Sequence, residues 1–176
     1  MEPGVESLKN SDLSLLARRL GKLCHEQRIE VTTAESCTGG GIAEAITSVE
    51  GSSGYFASGY VTYANAAKTR MLGVEAATLE THGAVSEAVV RAMVTGACRA
   101  SGADIAVAVS GVAGPGGGSD DKPVGTVWLA WGGVESQRTE CLHFPGDRQA
   151  VREQAVRQAV ARLIVDLDAR DSRPRG

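Results

Sequence analysis

Leu13, Leu16, Leu20 and Leu23 recur at intervals of three and four behind Ser11 and Asp12, which puts them on one helical face after a residue able to cap it. The spacing predicts an amphipathic helix over 12–27. The period then shortens: 29–33 is a brief, β-branched run that reads as a strand, and 40–47 has the small, apolar composition of a helix lying on a sheet. Gly51-Ser52-Ser53-Gly54 marks a turn, and 55–63 carries enough aromatic and β-branched residues to read as a strand despite Gly59. Helices are expected over 64–72 and 76–81, the second ending near Gly83. A longer one starts at Ser86-Glu87 and runs to about residue 100, with Val89, Val90, Met93 and Ala97 as its apolar stripe.

Residues 104–110 read as a buried strand. The segment 111–119 is too rich in glycine, and too interrupted by Pro115, to be anything but a loop. Strands over 123–131 and 135–144 are separated by Gly132-Gly133, a hairpin signal and hence an antiparallel pair. Asp147 is placed to cap a last helix, 148–168, whose apolar positions include Val151, Ala155, Val160, Leu163 and Leu167. Strand–helix units followed by one hairpin predict an α/β fold: a three-layer α/β/α sandwich around a mixed, mostly parallel sheet with one antiparallel hairpin. We expect a single domain over 12–168, with flexible ends at 1–11 and 169–176.

Composition narrows the function classes. At 176 residues and 43% hydrophobic content, the chain suits one well-buried core. Its net charge of -3 offers no basic footprint for nucleic acid, so no direct nucleic-acid partner is expected. No apolar run approaches the roughly 20 residues that span a bilayer, and residues 1–12 are polar and acidic, unlike a signal peptide; a cytoplasmic protein with no membrane partner is expected. Cys24, Cys37, Cys98 and Cys141 fall in separate elements without zinc-site spacing, so reduced thiols and no metal are expected.

Candidate chemistry centres on Thr33-Ala34-Glu35-Ser36-Cys37-Thr38-Gly39-Gly40, which carries a serine, a thiol and a carboxylate between a strand and a helix. Thr38, Gly39 and Gly40 would open that helix with free N–H groups able to hold a phosphate, a carboxylate or an oxyanion. Ser36 needs a base to act as nucleophile, and none of the three histidines, His25, His82 and His143, sits in a catalytic motif. Lys68 is the better candidate, a lone cation in the uncharged stretch 60–68. Desolvation in an apolar pocket can bring a lysine toward neutrality, and Tyr63 could relay its proton or orient it. Against this, most lysines are solvated and most tyrosines are core residues with a satisfied hydroxyl. Cys37 competes with Ser36, because a helix N-terminus lowers a thiol pKa, whereas most free cysteines pack as small hydrophobes. Glu35 could bind a ribose hydroxyl, tune the lysine or be solvated. The loop bearing Ser110, Gly111, Gly114, Gly116 and Gly117 looks like an anion-binding nest but is neither a Walker A loop nor a Rossmann fingerprint. Arg148, at a helix start, could hold a phosphate or form an exposed salt bridge. Because the Ser36 turn and the Gly111 loop both leave strands at their carboxyl ends, they are expected to face one pocket.

Five segments, in order, closely resemble the CinA C-terminal domain family: Thr33 to Gly40, Tyr63-Ala64-Asn65-Ala66-Ala67-Lys68, Gly83-Ala84-Val85-Ser86, Ser110 to Gly117, and Phe144-Pro145-Gly146-Asp147-Arg148. The resemblance spans about residues 13–167. It implies a metal-free and cofactor-free serine amidase that converts nicotinamide mononucleotide and water to nicotinate mononucleotide and ammonia in pyridine-nucleotide salvage. Ser36, Tyr63 and Lys68 would be catalytic, and the protein a homo-oligomer. Glu35, Cys37, Thr38, Gly39, Gly40, Ser110, Gly111, Gly114, Gly116, Gly117 and Arg148 would contact the small-molecule nucleotide. Some members carry a preceding molybdopterin-binding-like domain; a stand-alone form is expected here. Departures are small: Ser110 stands where threonine is also common, and Ala64 and Ala66 replace more polar neighbours of Lys68. The main rival is a pyridine-nucleotide-binding regulatory module with little turnover. A direct DNA-recombination partner is disfavoured by the charge.

Overall fold

The computed structural model describes residues 3–172. Its helices are α1 (Pro3–Leu8), α2 (Leu13–Gln27), α3 (Gly41–Thr47), α4 (Asn65–Leu72), α5 (Ala76–His82), α6 (Glu87–Ser101) and α7 (Arg148–Asp171). Its strands are β1 (Val31–Glu35), β2 (Tyr60–Val61), β3 (Ile105–Gly111), β4 (Thr126–Gly132) and β5 (Gln137–His143). They form one sheet in the order β2-β1-β3-β4-β5. β1 runs parallel to both β2 and β3, and β4 is antiparallel to β3 and β5, so every strand but β4 points the same way. The three-layer sandwich, the mixed sheet and the hairpin are those expected.

The two faces of the sheet explain the layers. On β3, Ile105, Val107 and Val109 meet the core formed by α1, α2, α3 and α7, whereas Ala106 and Ala108 face α6. Ala34 and Ala130 share that second face, and a sheet surface of alanines lets α6 lie close with Val89, Val90, Met93 and Ala97 against it. Asp12 accepts from the N–H groups of Ser14 and Leu15, Ser86 from Val89, and Asp147 from Ala150, so the three long helices start at side-chain caps.

Several expectations need correction. The strand expected over 55–63 shrinks to Tyr60–Val61. Tyr55 ends a 3-10 turn, Ser52–Gly54, and its ring is buried in the α2 side of the core, so its apolarity serves packing and not a ladder. β1 begins and ends two residues later than expected, which puts Glu35 inside the strand. The hairpin loop extends from Gly133 to Ser136 beyond the two glycines. Residues 3–8, for which no element was expected, form α1 and bury Val5 and Leu8, and α7 continues to Asp171. Residues 1–2 and 173–176 of the expected flexible ends lie outside the described residues. No described helix is long and apolar enough to cross a membrane.

Candidate active site

The carboxyl ends of β2, β1 and β3 lie side by side, and each delivers part of one cavity of about 300 Å³. β1 delivers Ser36 and Cys37, the connection from β2 into α4 delivers Tyr63, Asn65 and Lys68, and β3 with its following loop delivers Ser110 to Gly117. Arg148, the first residue of α7, completes the wall. The pocket inferred from strand direction is therefore present. A larger groove of about 1110 Å³ lies beyond Arg148, between α2, α3, α7 and the 113–124 loop, but neither Ser36 nor Lys68 lines it.

Lys68 is 1% exposed. Its Nζ stands 3.0 Å from Ser36 Oγ, 2.8 Å from the Thr62 carbonyl and 3.4 Å from the Tyr63 carbonyl. Burial lowers its pKa below the lysine value of 10.5, with only slight opposition from Cys37. A neutral amine keeps two N–H donors and one lone pair. As an ammonium, Nζ donates to Ser36 Oγ and to both carbonyls; once neutral, with its two donors on the carbonyls, it would turn its lone pair to the Ser36 hydroxyl. The geometry thus decides what the sequence left open: Lys68 reaches Ser36 directly. The Tyr63 side chain is exposed, and its hydroxyl accepts a 2.8 Å hydrogen bond from Arg148 Nη2, away from the Ser36–Lys68 contact. Tyr63 lines the cavity, and among the described residues its hydroxyl hydrogen-bonds to Arg148 and to neither Ser36 nor Lys68.

Cys37 behaves as a core residue: burial pushes its thiol up to about 11, aided slightly by the Glu35 carboxylate. The expected lowering by a helix start does not occur, and Ser36 is left as the nucleophile candidate. Glu35 does not line the cavity. It is fully buried, with Oε1 accepting from Thr38 Oγ1 (2.7 Å) and the Ile42 N–H (2.8 Å), and Oε2 from the Ala43 N–H (3.0 Å). Its carboxylate occupies the N-terminus of α3, where an anion is stabilised by unpaired N–H groups. Gly39 donates its N–H to the Ser36 carbonyl, and Thr38, Gly39 and Gly40 are absent from the cavity wall. Hence the helix start is already filled from within the chain, and of the residues 36–40 only Ser36 and Cys37 line the pocket.

Arg148 Nη1 donates to the Gly114 carbonyl at 2.9 Å, tying the glycine loop to α7 and, through Nη2, to Tyr63. Ser110 is 1% exposed beneath this loop. Asn65, Ala84, Val85, Val112 and Ala113, not expected at the site, also line the cavity. All five lie inside the quoted motifs, which was the available signal. The Thr62 carbonyl could not be singled out, because every residue offers the same group and only its position in the fold distinguishes it.

Fold and site together define an α/β/α protein with a serine–lysine pair at the carboxyl ends of adjacent parallel strands. The chain belongs to the CinA C-terminal domain family, whose model matches residues 13–167. It is 60% identical over 152 residues to the nicotinamide-nucleotide amidohydrolase PncC of Pseudomonas putida, covering 86% of this chain and 95% of that protein. The PncC protein of Escherichia coli K12 is 50% identical over 159 residues, covering 89% and 95%. Among solved structures, a competence-damaged protein (CinA) superfamily member from Klebsiella pneumoniae superposes with a TM-score of 0.87 at 43% identity, covering 90% of this chain and 99% of that one. A competence/damage-inducible protein from Agrobacterium tumefaciens gives 0.85 at 43% identity, covering 90% and 96%.

Proposed function

We propose that this protein is a nicotinamide-nucleotide amidohydrolase that converts nicotinamide mononucleotide and water to nicotinate mononucleotide and ammonia, within pyridine-nucleotide salvage. The observation that carries the reading is the 3.0 Å contact between buried Lys68 Nζ and Ser36 Oγ inside the cavity of about 300 Å³. The similarity to PncC proteins over most of their length supports the substrate.

In this reading, neutral Lys68 takes the Ser36 proton as Oγ attacks the carboxamide carbon. The Cys37 N–H stabilises the oxyanion, the Ser36 N–H being held by the Val109 carbonyl. The C–N bond breaks, and ammonia leaves with the proton returned by the Lys68 ammonium. Water then attacks the acyl ester as Lys68 accepts its proton, and Lys68 returns that proton to Ser36 Oγ as the acyl–oxygen bond breaks and nicotinate mononucleotide leaves. Arg148 and the Ser110–Gly117 loop hold the ribose and 5′-phosphate, which orient the amide through binding energy remote from the reacting carbon.

Ammonia release from nicotinamide mononucleotide and from nicotinamide riboside, by wild type and Ser36→Ala, tests each part. We expect steady release by wild type, loss in Ser36→Ala without loss of fold, and a much lower kcat/KM for the riboside. Activity retained in Ser36→Ala removes the nucleophile, equal kcat/KM for the two substrates removes the phosphate clamp, and no turnover by wild type favours a nucleotide-binding regulatory module.

A further inference from the structure

Arg152 lies one helical turn beyond Arg148 but points elsewhere. Its Nε donates to the Cys37 carbonyl at 3.0 Å and its Nη2 to the Thr38 carbonyl at 3.4 Å. Among the described residues, its side-chain hydrogen bonds go only to this turn. The turn is built to receive it. Gly39 has φ +58, and a Cβ there would stand 3.3 Å from Arg152 Nη2; a Cβ on Gly41 would press to 2.9 Å from Val156 Cγ2. Neighbouring Val151 and Ala155 are fully buried, so the guanidinium is delivered by a fixed element.

We infer that Arg152 is a positioning residue for the nucleophile: by gripping the two carbonyls that follow Ser36, it sets the orientation of the turn that aims Ser36 Oγ at Lys68. In a trans peptide the C=O and the following N–H point to opposite sides. With the Cys37 carbonyl held toward α7, the Thr38 N–H is turned away from α7. Lys68 secures the opposite side of the turn through Ser36 Oγ, and the Ser36 N–H donates to the Val109 carbonyl at 3.0 Å. Ser36 is thus held by sheet, lysine and arginine. The planar fork of an arginine can address two carbonyls at once, whereas an ammonium addresses them as a point charge. The inference rests on Ser36 being the nucleophile of the proposed reaction, but not on the identity of the substrate.

The test compares wild type, Arg152→Gln, Arg152→Lys and Ser36→Ala by two readouts. One is the rate of labelling by a fluorophosphonate, in which Ser36 Oγ bonds to phosphorus, fluoride leaves and Lys68 takes the proton. The other is kcat and KM for ammonia release. A displacement of about 1 Å at a reacting atom lowers a rate by about 100-fold. Arg152→Gln is therefore expected to lose about that much in both labelling and kcat, with KM and the pH of half-maximal rate unchanged and with Arg152→Lys between it and wild type. If Arg152→Gln does not fold by circular dichroism, Arg152→Lys is read alone, with a loss of about 10-fold expected. Labelling of a folded variant within about twofold of wild type overturns the inference, as does a raised KM at unchanged kcat. Wild type that is labelled at Ser36 but releases no ammonia overturns the substrate reading, and the labelling rates then still decide the role of Arg152. Wild type that is not labelled overturns both.

Discussion

At the scale of residues, Lys68 joins stability and activity in one side chain. Its folded pKa lies below 10.5, so between the two values the unfolded chain binds a proton that the native protein does not. The destabilisation from burying the amine is complete below the folded pKa and fades as pH rises toward 10.5. Lys68→Met lacks this proton linkage. Relative to that variant, wild type should gain stability as pH is raised, measured as the difference in urea midpoints across the alkaline range. If this amine serves as the base of the proposed reaction, the acid limb of kcat/KM should fall below the ordinary lysine range, and Lys68→Met should lower kcat by about 100-fold or more with KM little changed. A change in KM alone would remove the base role. Lys68 was visible in the sequence as a lone cation in an uncharged stretch, whereas its two carbonyl partners were not, because backbone acceptors carry no sequence signature. Tyr63 illustrates the converse: residue type suggested a proton relay, and orientation assigns its hydroxyl to Arg148.

At the scale of elements, the strand–turn–helix unit β1–α3 depends on a carboxylate that sequence reading placed in the substrate site. Glu35 ends β1 facing the α3 side of the sheet, and its three hydrogen bonds close the turn that carries Ser36. Glu35→Gln keeps the shape but turns one acceptor into a donor facing N–H or O–H groups. We expect a loss of about 1–3 kcal/mol, read as a lower urea midpoint at unchanged slope, together with reduced kcat. Full stability in that variant would show that the carboxylate is not needed at the helix start. The long helices were legible because apolar spacing and capping residues agree, as with Asp12, Ser86 and Asp147. β2 was not, since Tyr55 and Phe56 look like strand residues while packing against the α2 side of the core. The two-residue offset of β1 had the larger consequence for function, because it moved Glu35 from the loop into the strand and its side chain into the interior.

At the scale of the whole molecule, the serine and the lysine come from different layers, the sheet and the α4–α6 helices. Ser36 follows β1 beside α3 and α7, while Lys68 sits on α4, which leans on α6 across the other face of the sheet. The distance between them therefore depends on how closely α4 approaches α6. That approach is set at Gly96, where an added Cβ would overlap the Leu72 carbonyl oxygen at the end of α4. Gly96→Ala must push α4 outward, and with it Lys68, although residue 96 touches neither catalytic group. Overpacking of this kind destabilises by about 1–3 kcal/mol. We expect Gly96→Ala to lose that much in urea unfolding and also to lower kcat and the fluorophosphonate labelling rate of Ser36 in the fraction that remains folded. Gly54→Ala serves as the control, since a Cβ there meets nothing within 4 Å and its backbone is not left-handed. If Gly96→Ala is destabilised but the folded protein labels at the rate of wild type, α4 does not transmit the displacement, and the position of Lys68 is set locally by the Thr62 and Tyr63 carbonyls alone.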